Sequence, residues 1–358
     1  MTNSRRRRIL FAACAVGIAS VLSLAGLLGL DVYVHKRAER SAGLNIWGYR
    51  GPAVSRKQPD EIRVVVLGGS TVFGYGVIWD EAFPAQLERR LNASEGPFHF
   101  SVVNLGYNAE GSFAFPYTLQ DYAYLQPDIV CLYEGYNDLR GDEEGGNQAL
   151  YRHSSPLFRT TGYMPILPAY LREKAMALRH GSLAEAYRQN DPGAVPIFQP
   201  DLARRTTSDA LVAAARISES IERQMARLGT EPGPAVVQAT GRGCAPPWSG
   251  YCGNVAAAID FALGHGQQVI FVTQPNLPGH SGGERHSWQQ LVVKTMLRER
   301  YGERRDVRIV NLGPAIDLGD TRLAIDGMHL TPQGNGRVAE LLTAPVLEAA
   351  ANRTKASR

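Results

Sequence analysis

Five short runs rich in apolar and β-branched residues recur along this chain: Ile62–Leu67, Ser101–Leu105, Asp128–Tyr133, Gln268–Thr273 and Val307–Leu312. Continuous runs of this kind, without polar alternation, mark strands buried on both faces. Helical patterns lie between and after them, near Glu81–Leu91, Thr118–Leu125, Val255–Leu263, Ser287–Tyr301 and beyond Thr331. Strands alternating with helices predict βαβ units and a parallel sheet. In an open parallel sheet the strand-end loops emerge on one edge, so residues distant in sequence converge on one crevice. The last helix is signalled most clearly, with Thr331 as N-cap and Pro332 at the first helical position. Pro345 is expected to kink or shorten it.

The N-terminus obeys different rules. Arg5–Arg8 precede Ile9–Leu30, a stretch without a single charged residue. At about 1.5 Å per residue, such a helix is long enough to cross a bilayer. The basic residues ahead of it favour a cytoplasmic tail (residues 1–8), a transmembrane signal-anchor (9–30) and an exported body. The expected location is therefore a single-pass, bacterial-type inner membrane protein with its folded part in the periplasm. The alternative is secretion after signal cleavage, for which Ala19, Ser20 and Ala25 supply small residues. Of 38 Lys/Arg and 34 Asp/Glu, seven and two fall in residues 1–40, which leaves 31 against 32 in the body. A body so close to neutral gives no sign of a nucleic-acid partner.

Residues 31–61 form a polar linker and lead-in, placed on the surface of a domain spanning 62–352. That domain carries an insertion at about 141–253, within which Leu211, Ala214, Ile217, Ile221 and Leu228 have helical spacing. Cys14 lies in the apolar segment and Cys131 in a buried strand. Cys244 and Cys252 flank a Pro-Pro-Trp-Ser-Gly loop, close enough to form a disulfide in an oxidising compartment. No second Cys/His pair has the spacing of a zinc site.

The residues just past each strand end carry the chemistry. Ser70 comes after the first strand in Gly68-Gly69-Ser70-Thr71, Gly106 after the second, and Gly135-Tyr136-Asn137-Asp138 after the third. Asp326 and His329 lie between the last strand and the last helix. Acyl transfer needs a nucleophile, a base, a group to orient the base, and donors aimed at an oxyanion. Ser70 is the candidate nucleophile, His329 the base and Asp326 its orienting acid. The backbone N–H groups of Ser70 and Gly106, with the Asn137 side-chain amide, would make the oxyanion hole. Gly111, further along the same loop, is the alternative to Gly106, and spacing alone does not decide. Taken singly, Ser70 is also a helix N-cap, Gly106 a strand terminator, and Asp326–His329 an ordinary turn. A phosphate loop is excluded by the lack of Gly-Lys-Ser/Thr, and a dinucleotide fold by the absence of GxGxxG spacing. A metal held by Asp326 and His329 lacks an evident third ligand, and no cofactor is expected.

These blocks, GGST, NLGYNAEG, GYND and DGMH, resemble those of the SGNH hydrolases, the GDSL-type esterases and lipases. The resemblance covers most of residues 62–350 outside the insertion. It implies a three-layer αβα sandwich with a flavodoxin-like, mostly parallel five-stranded sheet, and the same triad and oxyanion roles for these residues. One departure is plain, since Gly69 stands where the GDS form has Asp. The function so implied is a serine esterase cleaving O-acyl esters, O-acetyl above all, on envelope carbohydrate. Its partners would be an acylated polysaccharide or lipid, and the membrane through residues 9–30. Trp47, Tyr49, Trp248 and Tyr251 are taken as exposed aromatics suited to a sugar. Alternatives are an O-acyltransferase acting on a polysaccharide, or a non-hydrolytic binding or assembly protein that keeps the fold.

Overall fold

The computed structural model describes residues 2–39, 44–108, 110–139, 152–153, 155–182, 244–277 and 280–356. The expected helix bearing Leu211–Leu228, and most of the expected insertion, lie outside the described residues. The described residues fall into two compact units, one made of those in 2–38 and 164–182 and the other of those in 39–163 and 244–356.

In the first unit, α1 (Thr2–Ala38) is one unbroken helix, and its span Arg6–Arg37 is long and apolar enough to cross a membrane. Its apolar side chains from Ile9 to Leu30 are exposed, Phe11 at 74%. Beyond Leu30 one side of the helix becomes buried, with Asp31, Val34 and His35 covered and Tyr33 exposed. Asp31 accepts hydrogen bonds from the Ile166 and Leu167 N–H groups, and the His35 ring bonds the Met164 carbonyl.

The second unit is an α/β domain. Its elements in chain order are β1 (Glu61–Gly68), α2 (Ser70–Phe73), α3 (Phe83–Ala93), β2 (His99–Asn104), α4 (Phe115–Asp121), β3 (Ile129–Tyr133) and α5 (Pro156–Thr161). The first unit's α6 (Leu167–His180) comes next. The domain resumes with α7 (Ser249–Gly264), β4 (Gln268–Thr273), α8 (His280–Tyr301), β5 (Val307–Asn311) and α9 (Pro332–Ala356).

All strand pairs are parallel, in the order β2-β1-β3-β4-β5. This is the flavodoxin-like winding, whose order reverses between β1 and β3. Alternate residues face opposite sides. Val64, Val66, Cys131, Ile270 and Val272 pack with Phe83, Leu87 and Leu91 of α3 and Val338, Leu342 and Val346 of α9. The opposite face is covered by α4 and α7, which completes three layers. Burial pushes the Cys131 thiol up to about 12, which makes it an inert core group.

Two expectations need correction. The last helix neither stops nor shortens at Pro345 but runs on to Ala356. Leu342, Val346, Ala349 and Ala350 on both sides of the proline are buried in one core, and their packing outweighs one missing hydrogen bond. The lead-in is also only partly on the surface. Asn45, Tyr49 and Arg50 are buried, and Arg50 N–H donates to the Asn104 carbonyl at the end of β2.

Leu342 is fully buried where α9 meets the sheet. Leu342→Ala should lower unfolding stability by about 2–5 kcal/mol, read as a drop in the urea midpoint with an unchanged m-value.

Candidate active site

At its carboxyl end β1 runs close beside β3. A Cβ on Gly68 would lie 2.1 Å from the Tyr133 carbonyl oxygen, and one on Gly69 would lie 2.2 Å from Asn137 Nδ2. Only glycine lets the chain turn here, and the turn makes Ser70 the first residue of the short helix α2. Gly74 closes α2 in a left-handed conformation (φ 81°), with its N–H and that of Tyr75 both donating to the Ser70 carbonyl.

Arg50 holds the turn from below. Its guanidinium is buried, donates to the carbonyls of Phe73, Gly74 and Val77, and lies 4.3 Å from the centroid of the Phe73 ring. Burial lowers its pKa to about 10, which leaves it cationic at neutral pH. A cation at the carbonyl end of α2 is the favourable placement.

Across the crevice, Asp326 to His329 form a closed turn. Ile325 N–H donates to the His329 carbonyl, and Gly327 sits at φ 78°. Asp326 Oδ1 accepts the His329 and Met328 N–H groups at 2.8 and 3.1 Å, while Oδ2 lies 2.7 Å from His329 Nδ1. The other ring nitrogen, Nε2, is 2.9 Å from Ser70 Oγ, a contact between residues 259 apart in sequence. Partial burial pushes the Asp326 carboxyl up, but the His329 N–H and ring bonds outweigh it and hold it below the usual range.

Asn137 stands beside Gly69 and donates through Nδ2 to the Glu110 carbonyl at 2.7 Å. The two candidate glycines part company. Gly106 N–H donates to Asn104 Oδ1 at 3.0 Å, and a Cβ there would run into Val72 and Phe73 behind the turn. Gly111 lies against Asp138, which accepts the Ser112 N–H and hydroxyl. The structure thus brings Ser70, Asn137, Asp326 and His329 together, sets Gly111 on the loop joined to Asn137, and leaves Gly106 behind the Ser70 turn.

Cys244 and Cys252 are joined as a disulfide at the start of α7. Among the described residues, no group of three His, Cys, Asp or Glu is placed to hold a metal.

The aromatics named from sequence are mostly not exposed. Tyr49, Trp248 and Tyr251 are buried, the two tyrosine hydroxyls with hydrogen-bond partners inside and the Trp248 ring with packing partners. Tyr49 accepts the Val54 N–H, Trp248 packs on Trp288 and Arg285, and Tyr251 donates to the Glu134 carbonyl. Trp47 lies with Tyr124, Arg56 and Arg159 around a cavity of about 700 Å³ that contains none of the triad or oxyanion groups. Instead Tyr75, 53% exposed, leans on the His329 ring at 4.6 Å. Its adjacency to the turn was a signal available in the sequence. Arg50 and the fully buried Arg152, which grips the Gly48 and Leu105 carbonyls and the Glu110 carboxylate, had no such signal.

No family model matches this chain, and no curated protein matches it. Among solved structures it is similar to a putative lipolytic protein of the G-D-S-L family from Desulfitobacterium hafniense DCB-2 (10% identity, 79% of this chain and 98% of that one, TM-score 0.39). It is also similar to a carbohydrate acetylesterase from Sinorhizobium meliloti (14% identity, 80% and 98% covered, TM-score 0.36). A family 3 carbohydrate esterase from Clostridium thermocellum aligns at 12% identity over 81% and 99% of the two chains, with TM-score 0.39.

The Asp326 carboxyl titrates lower in the folded protein than in the unfolded one, so its bonds add stability above about pH 4 that is lost as pH falls through the native value. Asp326→Asn should therefore be less stable than wild type at neutral pH, with the gap closing in acid. Denaturant titrations at a series of pH values will measure it.

Proposed function

We propose that the chain is a membrane-anchored serine esterase that cleaves O-acyl groups through an acyl-enzyme on Ser70. The observation that carries this is the unbroken line from Asp326 Oδ2 through the His329 ring to Ser70 Oγ, at 2.7 and 2.9 Å. Both are hydrogen-bond distances, and the order is hydroxyl, imidazole, carboxylate.

Each step uses this line. The Asp326 bond fixes His329 with its Nδ1 protonated, so Nε2 is free to take the Ser70 proton. Ser70 Oγ then bonds to the ester carbonyl carbon, whose oxygen gains the negative charge. The Ser70 N–H, the Gly111 N–H and the second hydrogen of Asn137 Nδ2 are the donors for that oxygen. We choose Gly111 over Gly106 because the Gly106 N–H is already given to Asn104. The imidazolium returns its proton to the departing alcohol, and water repeats the sequence to release the acid. Since His329 serves the alcohol, the alcohol lies on the Tyr75 side.

For the substrate we infer O-acetyl esters on envelope carbohydrate. Support comes from the motif resemblance and from an exposed ring, Tyr75, of the kind sugars stack on, placed beside the base. The uncharged run Ile9–Leu30, continuous as helix and apolar on every side, supports an anchor with the domain on the periplasmic side. Transfer to a sugar hydroxyl in place of water uses the same groups.

The full-length protein in detergent should hydrolyse an activated acetyl ester and react covalently with a fluorophosphonate. Ser70→Ala should abolish labelling and lower kcat by at least about 10³-fold. Wild type that is folded but inert in both assays would point instead to a binding protein. Deletion of the gene should raise envelope glycan acetylation if the chain is an esterase and lower it if it is a transferase, as acetate release by mild base will show.

A further inference from the structure

Beneath the proposed oxyanion site lies an acidic group that the proposed reaction does not use. Glu134, the residue after β3, is fully buried. Its Oε1 accepts the Gly135 and Asn137 N–H groups at 2.9 and 3.3 Å, and so fixes the turn that presents Asn137. Its Oε2 makes no hydrogen bond of regular geometry and faces the Gly69 main chain, whose N–H favours its charged form. A Cβ on Gly69 would lie 2.7 Å from this oxygen and 2.2 Å from Asn137 Nδ2, which places the two no more than about 5 Å apart. One buried carboxyl therefore touches both the residue before the nucleophile and the residue that supplies an oxyanion donor.

Its charge matters, because an anion at that distance opposes the negative charge that builds on the substrate oxygen. The groups that face Glu134 decide the question. From its own turn comes Asp138, from α7 the Tyr251 hydroxyl on the Glu134 carbonyl, and from β3 the Tyr133 side chain. From the loop after β4, Gln274 accepts the Tyr136 N–H. On α8, His286 packs on Tyr136, and burial lowers its pKa to about 4, which leaves it neutral. No cation among the described residues is bonded to Glu134 or Asp138. Burial raises the Asp138 carboxyl to about 6, but the N–H and hydroxyl of Ser112 favour its charged form, so at neutral pH a proton shared by the pair belongs on Glu134. Burial, and then the Asp138 charge, push the Glu134 carboxyl well above its ordinary range.

We propose that Glu134 is a positioning residue of the Ser70 site and works as an uncharged acid, holding Asn137 and the Gly69–Ser70 turn without placing an anion under the oxyanion. The proposal rests on the esterase assignment for its kinetic consequences, but not for the protonation state itself.

The test uses the full-length protein in detergent with 4-nitrophenyl acetate. Glu134→Ala should lower kcat by about tenfold or more with KM little changed. Glu134→Gln, which has the shape of the protonated acid, should recover most of that loss. It should also remove an alkaline decline in kcat that wild type shows. Asp138→Asn keeps an acceptor for Ser112 and removes the neighbouring charge, so the decline should move to lower pH. Infrared difference spectra between about pH 7 and about pH 9, a range that starts above the Asp138 transition, should show the carbonyl stretch of a protonated carboxyl disappearing in wild type, with no comparable change in Glu134→Gln. Asp138→Asn supplies the same reading, by shifting that transition, if the glutamine variant folds poorly. Absence of the protonated-carboxyl signal from wild type, or a glutamine variant as impaired as the alanine one, would overturn the proposal. An inert wild type that still shows the signal would remove the esterase assignment and leave the state of Glu134 established.

Discussion

The narrow gap where β1 and β3 end governs most of what surrounds it. The reversal of strand order leaves a crevice there, and the two chains approach too closely for a methyl group at Gly68 or Gly69. Backbone that turns so tightly leaves carbonyls and N–H groups pointing into the protein, away from water, where each needs a partner. Arg50 meets three of the carbonyls that come after Ser70, and Glu134 meets two N–H groups of the facing turn. Polar groups buried around the crevice are the consequence of a fold that exposes one hydroxyl in a confined place.

Those buried charges are paired in different ways. Arg152 is fully enclosed and bound through both terminal nitrogens to the Glu110 carboxylate and two backbone carbonyls, which offsets much of its desolvation. Arg63 is treated similarly by Glu61 and by the Leu125 and Ser55 carbonyls at the far end of β1. Among the described residues, Glu134 has no counter-ion of this kind. The contrast sets two ion-paired arginines of the scaffold against a buried carboxyl beside the Ser70 turn that lacks such a partner.

The sheet was legible because buried parallel strands leave continuous apolar runs that little else imitates. Ser70, Asn137, Asp326 and His329 were legible as polar residues immediately beyond those runs, where one edge of the sheet must gather them. The engagement of the Gly106 N–H was not, since it depends on the Asn104 side chain folding back onto the N–H two residues later. Arg50 and Arg152 were invisible because they serve main-chain carbonyls, which leave no pattern in the residues they come from. Tyr49, Trp248 and Tyr251 were misplaced since a Gly/Pro-rich neighbourhood suggests surface, whereas each polar edge or ring face found an internal partner. Pro345 did not shorten α9 because the apolar residues on both sides of it are buried in one core.

The loop bearing Asp326 and His329 is tied to itself, by the Ile325–His329 bond and the Ala324–Leu330 bridge, and to α9 through Thr331 and Pro332. Carboxylate and imidazole are consequently bound to each other within one loop, by contacts that do not involve Ser70. The 2.9 Å span from Nε2 to Ser70 Oγ, in contrast, joins two separate elements, so the position of the front of the last helix sets that distance while the ring orientation is set locally.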